Sequence, residues 1–145
     1  NLFDLPEEEK AKIGGLPKSL EEALDALRRR GIPFGVVSSS WRWYVEHCLR
    51  ELGMYEDAAV IVTGSDGLPL KPAPAPYQAA ARVFRPAPPG AVLAVEDSGS
   101  GVRSAVAAGL ACAAVYNPDS GAQDLSPARW RLNSLYELPA LLDGN

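Results

Sequence analysis

Val92–Gly101, VLAVEDSGSG, is the stretch that decides the fold. Its first four residues are apolar and read as a strand buried on both faces. Glu96 and Asp97 then stand side by side where the strand meets a glycine-rich turn, and SGVRSAVAAG continues as a helix. Neighbouring carboxylates repel each other unless something positive answers them. A buried strand that ends in paired acids and turns directly into a helix fits an open parallel α/β sheet. Such sheets bind ligands beyond the carboxyl ends of their strands.

The flanking sequence repeats this alternation. Ser19 and Glu22 have the spacing of a capping box at the head of the helix SLEEALDALRRR, which Gly31 closes. The run PFGVVS predicts a strand, and WRWYVEHCLREL predicts a helix that stops at Gly53. Ala59 to Val62 (AVIV) predicts another strand, followed by the loop GSDGLPLKPAPAP and the helix YQAAARVF. RPAPPG breaks the pattern. After the opening strand and its helix come a strand in ACAAVY and a closing helix near SLYELPALL. The expected fold is therefore α/β, a three-layer Rossmann-like parallel sheet with helices on both faces. Ser38, then Thr63, Gly64 and Asp66, then Glu96 and Asp97 follow successive strands and should gather at one edge.

The chain has 145 residues, a one-domain length. Its formal net charge of -4 offers no basic footprint, so no nucleic-acid partner is expected. No apolar run reaches membrane-spanning length and no signal peptide is visible, which points away from a membrane and toward the cytoplasm. Cys48 and Cys112 lack metal-ligand spacing and read as free thiols of a reducing compartment. The single histidine, His47, falls inside a helical pattern and reads as structural, which disfavours a histidine-based triad. Trp41, Trp43 and Tyr44 read as packing residues, with Trp41 also a candidate to line a pocket.

The acid pair suits a hard divalent cation. Magnesium prefers carboxylate oxygens, keeps waters, and commonly binds phosphate as well. Lys71, in a loop stiffened by Pro72, Pro74 and Pro76, could return to the same edge and neutralise phosphate. Ser38, Ser39 and Ser40 offer hydroxyls and backbone N–H groups at a helix N-terminus, where anions bind. Together these describe a magnesium-phosphate pocket. A dinucleotide module is disfavoured. Gly99, Gly101 and Ser104 only loosely echo GxGxxG, and the two acids would repel a pyrophosphate.

VVSSS, KPAPAPY and VLAVEDSGSGVRSAVAAG resemble the second, third and fourth motifs of the haloacid dehalogenase (HAD) superfamily. The likeness is to its branch of β-phosphoglucomutase and phosphoglycolate phosphatase. It covers about Leu20 to Pro118 and implies a magnesium-dependent phosphohydrolase or phosphomutase acting on a small phosphorylated metabolite. By the family pattern Ser38 would contact the transferring phosphoryl group, with Ser39 beside it. Lys71 would balance charge between nucleophile and phosphate, Glu96 and Asp97 would hold magnesium, and Gly101 would let the turn pack closely. Ala75 departs from the family's frequent Asp in the KPxPD string.

The family's first motif, a strand-end DxDGT or DxDGV whose first Asp attacks phosphorus, has no match here. The nearest string is NLFDLPEEEK, which makes Asp4 the candidate nucleophile, but Pro6 stands where the proton-exchanging Asp belongs. The small helical cap that normally follows the first motif is not found either. Asn1 to about Leu27 also resembles a segment of bacterial glutamine synthetases, and carries none of that enzyme's ligand-binding strings. The chain accordingly divides into an atypical segment, 1–18, and a HAD-like core, 19–145. Two readings stand: a HAD-type enzyme impaired by the missing motif, or a non-catalytic phosphate- or metal-binding remnant, chimera or scaffold of the same fold. If the first segment forms no central strand, an exposed sheet edge would favour a homodimer. A pocket without a cap would discriminate poorly among substrates.

Overall fold

The computed structural model describes residues 18–144. Asp4, the Pro6 position and most of the segment set apart as 1–18 lie outside the described residues.

Helices and strands alternate as the pattern predicts. Helix α1 spans Lys18–Arg29, β1 Val36–Val37, α2 Arg42–Glu51, β2 Ile61–Val62 and α3 Ala75–Arg82. Strand β3 is Leu93–Glu96, α4 Gly99–Ala107, β4 Ala111–Val115, β5 Trp130–Leu132 and α5 Leu138–Leu142. Helix α1 begins one residue ahead of the expected cap, so Ser19 lies inside the first turn and is buried. Helix ends move by a residue or so with the closure of their terminal hydrogen bonds. Strand β5 was not expected. Its three residues carry Arg131 in the middle and are half-buried on either side, too short and too polar to signal a strand.

All strand pairs are parallel, but the described strands fall into two sheets. One pairs β1 with β2, and the other runs β3-β4-β5. Helices cover both faces, which the alternation of side chains along each strand makes visible. On one side Leu20 and Leu24 of α1, Val45 and Leu49 of α2, Val36 of β1 and Val115 of β4 form a cluster. On the other, Tyr77 of α3, Val102 and Ala105 of α4, Ala94 of β3, and Cys112 and Ala114 of β4 form a second. Val45, Leu49, Val102 and Ala105 are wholly buried. Full burial of a side chain such as Leu49 contributes about 1.5–3 kcal/mol. Among the described residues no helix is long and apolar enough to cross a membrane.

Candidate active site

The residues that follow the strands meet at one end of the two sheets, and Lys71 shows it most directly. Its Nζ donates to the Val37 carbonyl at the end of β1, at 3.0 Å, and to Glu96 Oε1 at the end of β3, at 2.5 Å. One ammonium therefore ties together the carboxyl ends of strands that belong to different sheets. The lysine and glutamate side chains are only 9% and 4% exposed. A charge pair so buried is held by its mutual attraction and by further hydrogen bonds. Tyr77 supplies one, its hydroxyl donating to Glu96 Oε1 at 2.7 Å, while the Lys71 ammonium lies 5.4 Å from the centre of the Tyr77 ring. Burial first, and then the Glu96 carboxylate, push the Tyr77 phenol well above its ordinary pKa. The same two causes raise the Cys112 thiol to about 11.

Glu96 is confined from above by the turn of α4. A methyl group built on Gly101 would lie 2.2 Å from the Glu96 carboxyl carbon, so only a glycine lets the turn close over the acid. Ser98 caps the helix, its hydroxyl accepting from the Gly101 N–H at 3.1 Å.

Asp97 faces other partners. Its Oδ2 accepts from Asn117 Nδ2 at 3.0 Å and from Ser120 Oγ at 3.2 Å. Asn117 follows β4, so it too is a strand-end residue, and its Oδ1 accepts from the Asp119 N–H to fix the turn. The two adjacent acids thus turn to different neighbours, Glu96 to Lys71 and Tyr77, and Asp97 to Asn117 and Ser120.

Ser38 follows β1 directly and is buried. Its N–H donates to the Val62 carbonyl at 2.9 Å, and its hydroxyl accepts from the Ser40 N–H at 3.2 Å. Ser39 is exposed. Gly64, after β2, packs where an added methyl would lie 2.2 Å from the Ser39 carbonyl oxygen, and its N–H donates to the Ser40 carbonyl at 2.8 Å. Asp66 finishes this loop, accepting from the Thr63 N–H at 2.8 Å and pairing with Arg42 at 3.0 Å. Burial raises the Asp66 pKa, but the Thr63 N–H and the Arg42 guanidinium outweigh it and hold the carboxyl below its ordinary value. Thr63 and Asp66 thus brace the serine loop.

The aromatic residues beside the serines do not pack as expected. Trp41 and Trp43 are 65% and 72% exposed and Tyr44 is exposed as well, because the apolar face of α2 is occupied by Val45 and Leu49. His47 is exposed on the same helix, Cys48 is half-buried and Cys112 is buried, both thiols free. The partners Tyr77, Asn117 and Ser120 were not singled out from sequence. Tyr77 ends the KPAPAPY string and Asn117 follows a predicted strand, which were the available signals.

The donor set at this edge consists of hard oxygens, the kind magnesium accepts. Asp97 and Glu96 are its carboxylates, and among the described residues no group of three His, Cys, Asp or Glu side chains gathers as a ready-made metal cage. Magnesium commonly binds through one or two carboxylates with substrate phosphate and water, so the pair fits that habit.

Comparison with known proteins agrees with this geometry. Residues 7–109 match the haloacid dehalogenase-like hydrolase family, so the match begins within the segment 1–18. The Bacillus subtilis (strain 168) protein named "Putative phosphatase YhcW" is 36% identical over 140 residues, covering 94% of this chain and 60% of its own length. Validoxylamine A 7'-phosphate phosphatase of Streptomyces hygroscopicus subsp. limoneus is 31% identical over 118 residues, covering 75% of this chain and 55% of its own. Among solved structures, CbbY from Rhodobacter sphaeroides, determined with phosphate and, as a mutant, with xylulose-(1,5)bisphosphate, superposes with a TM-score of 0.76 at 29% identity. That superposition covers 83% of this chain and 55% of CbbY. The chain thus spans a little over half the length of these relatives.

Proposed function

The chain belongs to the haloacid dehalogenase-like hydrolase family, and from that premise we propose that the strand-end site serves magnesium-dependent phosphoryl transfer from a small phosphorylated metabolite, a sugar phosphate or a close analogue. The observation that carries this reading is the Lys71 ammonium joining the ends of β1 and β3, with the Ser38 loop on one side and Asp97 on the other. The relatives support it, being named as phosphatases or determined with phosphate and a sugar bisphosphate.

In this reading the Ser38 and Ser39 groups at the head of α2 receive the phosphoryl oxygens. Lys71 offsets their charge, and Tyr77 keeps Glu96 and Lys71 aligned. Asp97, with Glu96, holds the cation, which when bound neutralises phosphoryl oxygens and orients the substrate. The candidate nucleophile is Asp4, in the string nearest to the family's first motif, which the sequence does not match; it lies outside the described residues. The protein works in the cytoplasm, with neither nucleic acid nor membrane as partner.

A second reading, a non-catalytic phosphate- or metal-binding domain, draws on the engagement of Lys71 with Glu96, which leaves the ammonium already paired with a carboxylate without substrate. Hydrolysis of p-nitrophenyl phosphate with and without magnesium decides between the two. Turnover that requires magnesium and is lost in Asp97→Asn is the expected result. Absence of turnover, with calorimetry still registering phosphate and magnesium, leaves the non-catalytic reading. If neither ligand binds, only a scaffold remains.

A further inference from the structure

Asp97 lies within a clasp formed by the loop that follows β4. Pro118 confines Asn117 to extended backbone, with φ −132° and ψ 111°. The chain then makes one tight turn over Pro118–Ser120, and Asn117 anchors it. The Asn117 Oδ1 accepts from the Asp119 N–H at 3.0 Å, and its carbonyl accepts from the Ser120 N–H at 3.1 Å. This turn brings the Asn117 amide and the Ser120 hydroxyl onto the same oxygen of Asp97. Gln123 ties the loop to the other end of the acid's turn. Its Nε2 donates to the Ser120 carbonyl at 2.9 Å, and its Oε1 accepts from the Gly99 N–H at 2.9 Å. The loop packs closely there, since a methyl built on Gly99 would lie 2.9 Å from the Asp124 carbonyl oxygen. The loop therefore grips the turn at Asp97 and again at Gly99.

We infer that Asn117 and Ser120 are positioning residues that fix the Asp97 carboxylate for magnesium in preference to a larger divalent cation. The inference rests on the proposed reading of the site, in which Asp97 holds magnesium, and adds the side chains that make the acid selective. A carboxylate with one hydrogen bond can still rotate about its Cβ–Cγ bond. Two donors that converge on one oxygen, both carried by a single anchored turn, oppose that rotation and so fix where the second oxygen points. Both donors are neutral, so they orient the acid without cancelling its charge. An ammonium in their place would compete with a cation, as Lys71 does at Glu96. Gln123 steadies the backbone that carries the Ser120 hydroxyl.

Magnesium demands near-octahedral ligands at about 2.0–2.1 Å, whereas calcium accepts a variable shell at about 2.3–2.6 Å. A carboxylate held still therefore serves magnesium more than calcium. Partners that orient a metal-binding side chain are commonly worth about 10–100-fold in affinity.

The test titrates magnesium chloride, and separately calcium chloride, into isotope-labelled protein at neutral pH and constant ionic strength. The Ser98 and Gly99 amide resonances report binding. Ser120→Ala removes one donor at a half-buried position, and Ser120→Thr keeps a hydroxyl there. Asn117→Ala removes the other donor together with the acceptor of the Asp119 N–H, so urea midpoints are measured for every variant. Ser120→Ala and Asn117→Ala should each weaken magnesium binding about tenfold and calcium binding by less, shifting the ratio of the two Kd values toward calcium. Ser120→Thr should retain the ratio of the unaltered protein. If Asn117→Ala does not fold, Ser120→Ala carries the test against Ser120→Thr. A lowered urea midpoint with an unchanged ratio means a structural role alone and overturns the inference. Equal weakening of both ions overturns it too, as does a Ser120→Thr variant no better than Ser120→Ala. If the unaltered protein binds neither ion, the reading of the site fails and the inference falls with it. If the unaltered protein binds magnesium and the alanine variants bind it equally well, the inference alone is overturned.

Discussion

Lys71 and Glu96 form a pair whose value lies in its completeness. Each is a charge withdrawn from water, tolerable because the other is within hydrogen-bond reach and Tyr77 adds a donor. Lys71→Met leaves a buried carboxylate uncompensated and should lower unfolding free energy by about 3–5 kcal/mol, read as a fall in the urea midpoint. Adding Glu96→Gln to that variant should restore most of the loss. A double variant as unstable as Lys71→Met alone would show that the pair is not what holds this edge together. Cys112 senses the same carboxylate from within the core. With its thiol raised to about 11, it is protonated at pH 8 as well as covered. Ellman's reagent at pH 8 should therefore find it unreactive in the folded protein and reactive in urea.

At the scale of elements, the turn from β3 into α4 is where backbone geometry controls chemistry. Gly101→Ala would drive a methyl into the Glu96 carboxyl and force apart the contacts with Lys71 and Tyr77. The expected cost is about 1–3 kcal/mol in denaturant unfolding. Gly90→Ala, whose added methyl meets nothing within 4 Å, should change little by comparison. This turn was also the most legible part of the sequence, because strand, acids, glycines and helix follow one another without interruption. Helices α1 and α2 were legible for a related reason, since their apolar positions recur at the helical period. Strand β5 was not, being three residues with a charge at the centre. The roles of Tyr77 and Asn117 were hidden because their partners, Glu96 and Asp97, lie 19 and 20 residues away, a separation that no local pattern encodes. The division of the described strands into two sheets was hidden as well, because periodicity reveals a strand without naming its neighbours.

For the molecule as a whole, the two apolar clusters lie on opposite sides of the strands and share no residue. Leu49→Ala in one and Val102→Ala in the other should each cost about 2–4 kcal/mol. Combined, the costs should add to within about 0.5 kcal/mol in denaturant titrations, as they do for sites without common partners. A marked departure from additivity would mean that strain passes from one face of the strands to the other. The outward stance of Trp41 and Trp43 has a consequence for anyone following such titrations by fluorescence. Indole emission shifts to longer wavelength when water relaxes around the excited ring, and two of the three indoles of this chain already meet that solvent in the native fold. The colour of the emission would therefore change little on unfolding, and what signal remains would come from Trp130, sheltered beneath the Arg129 guanidinium.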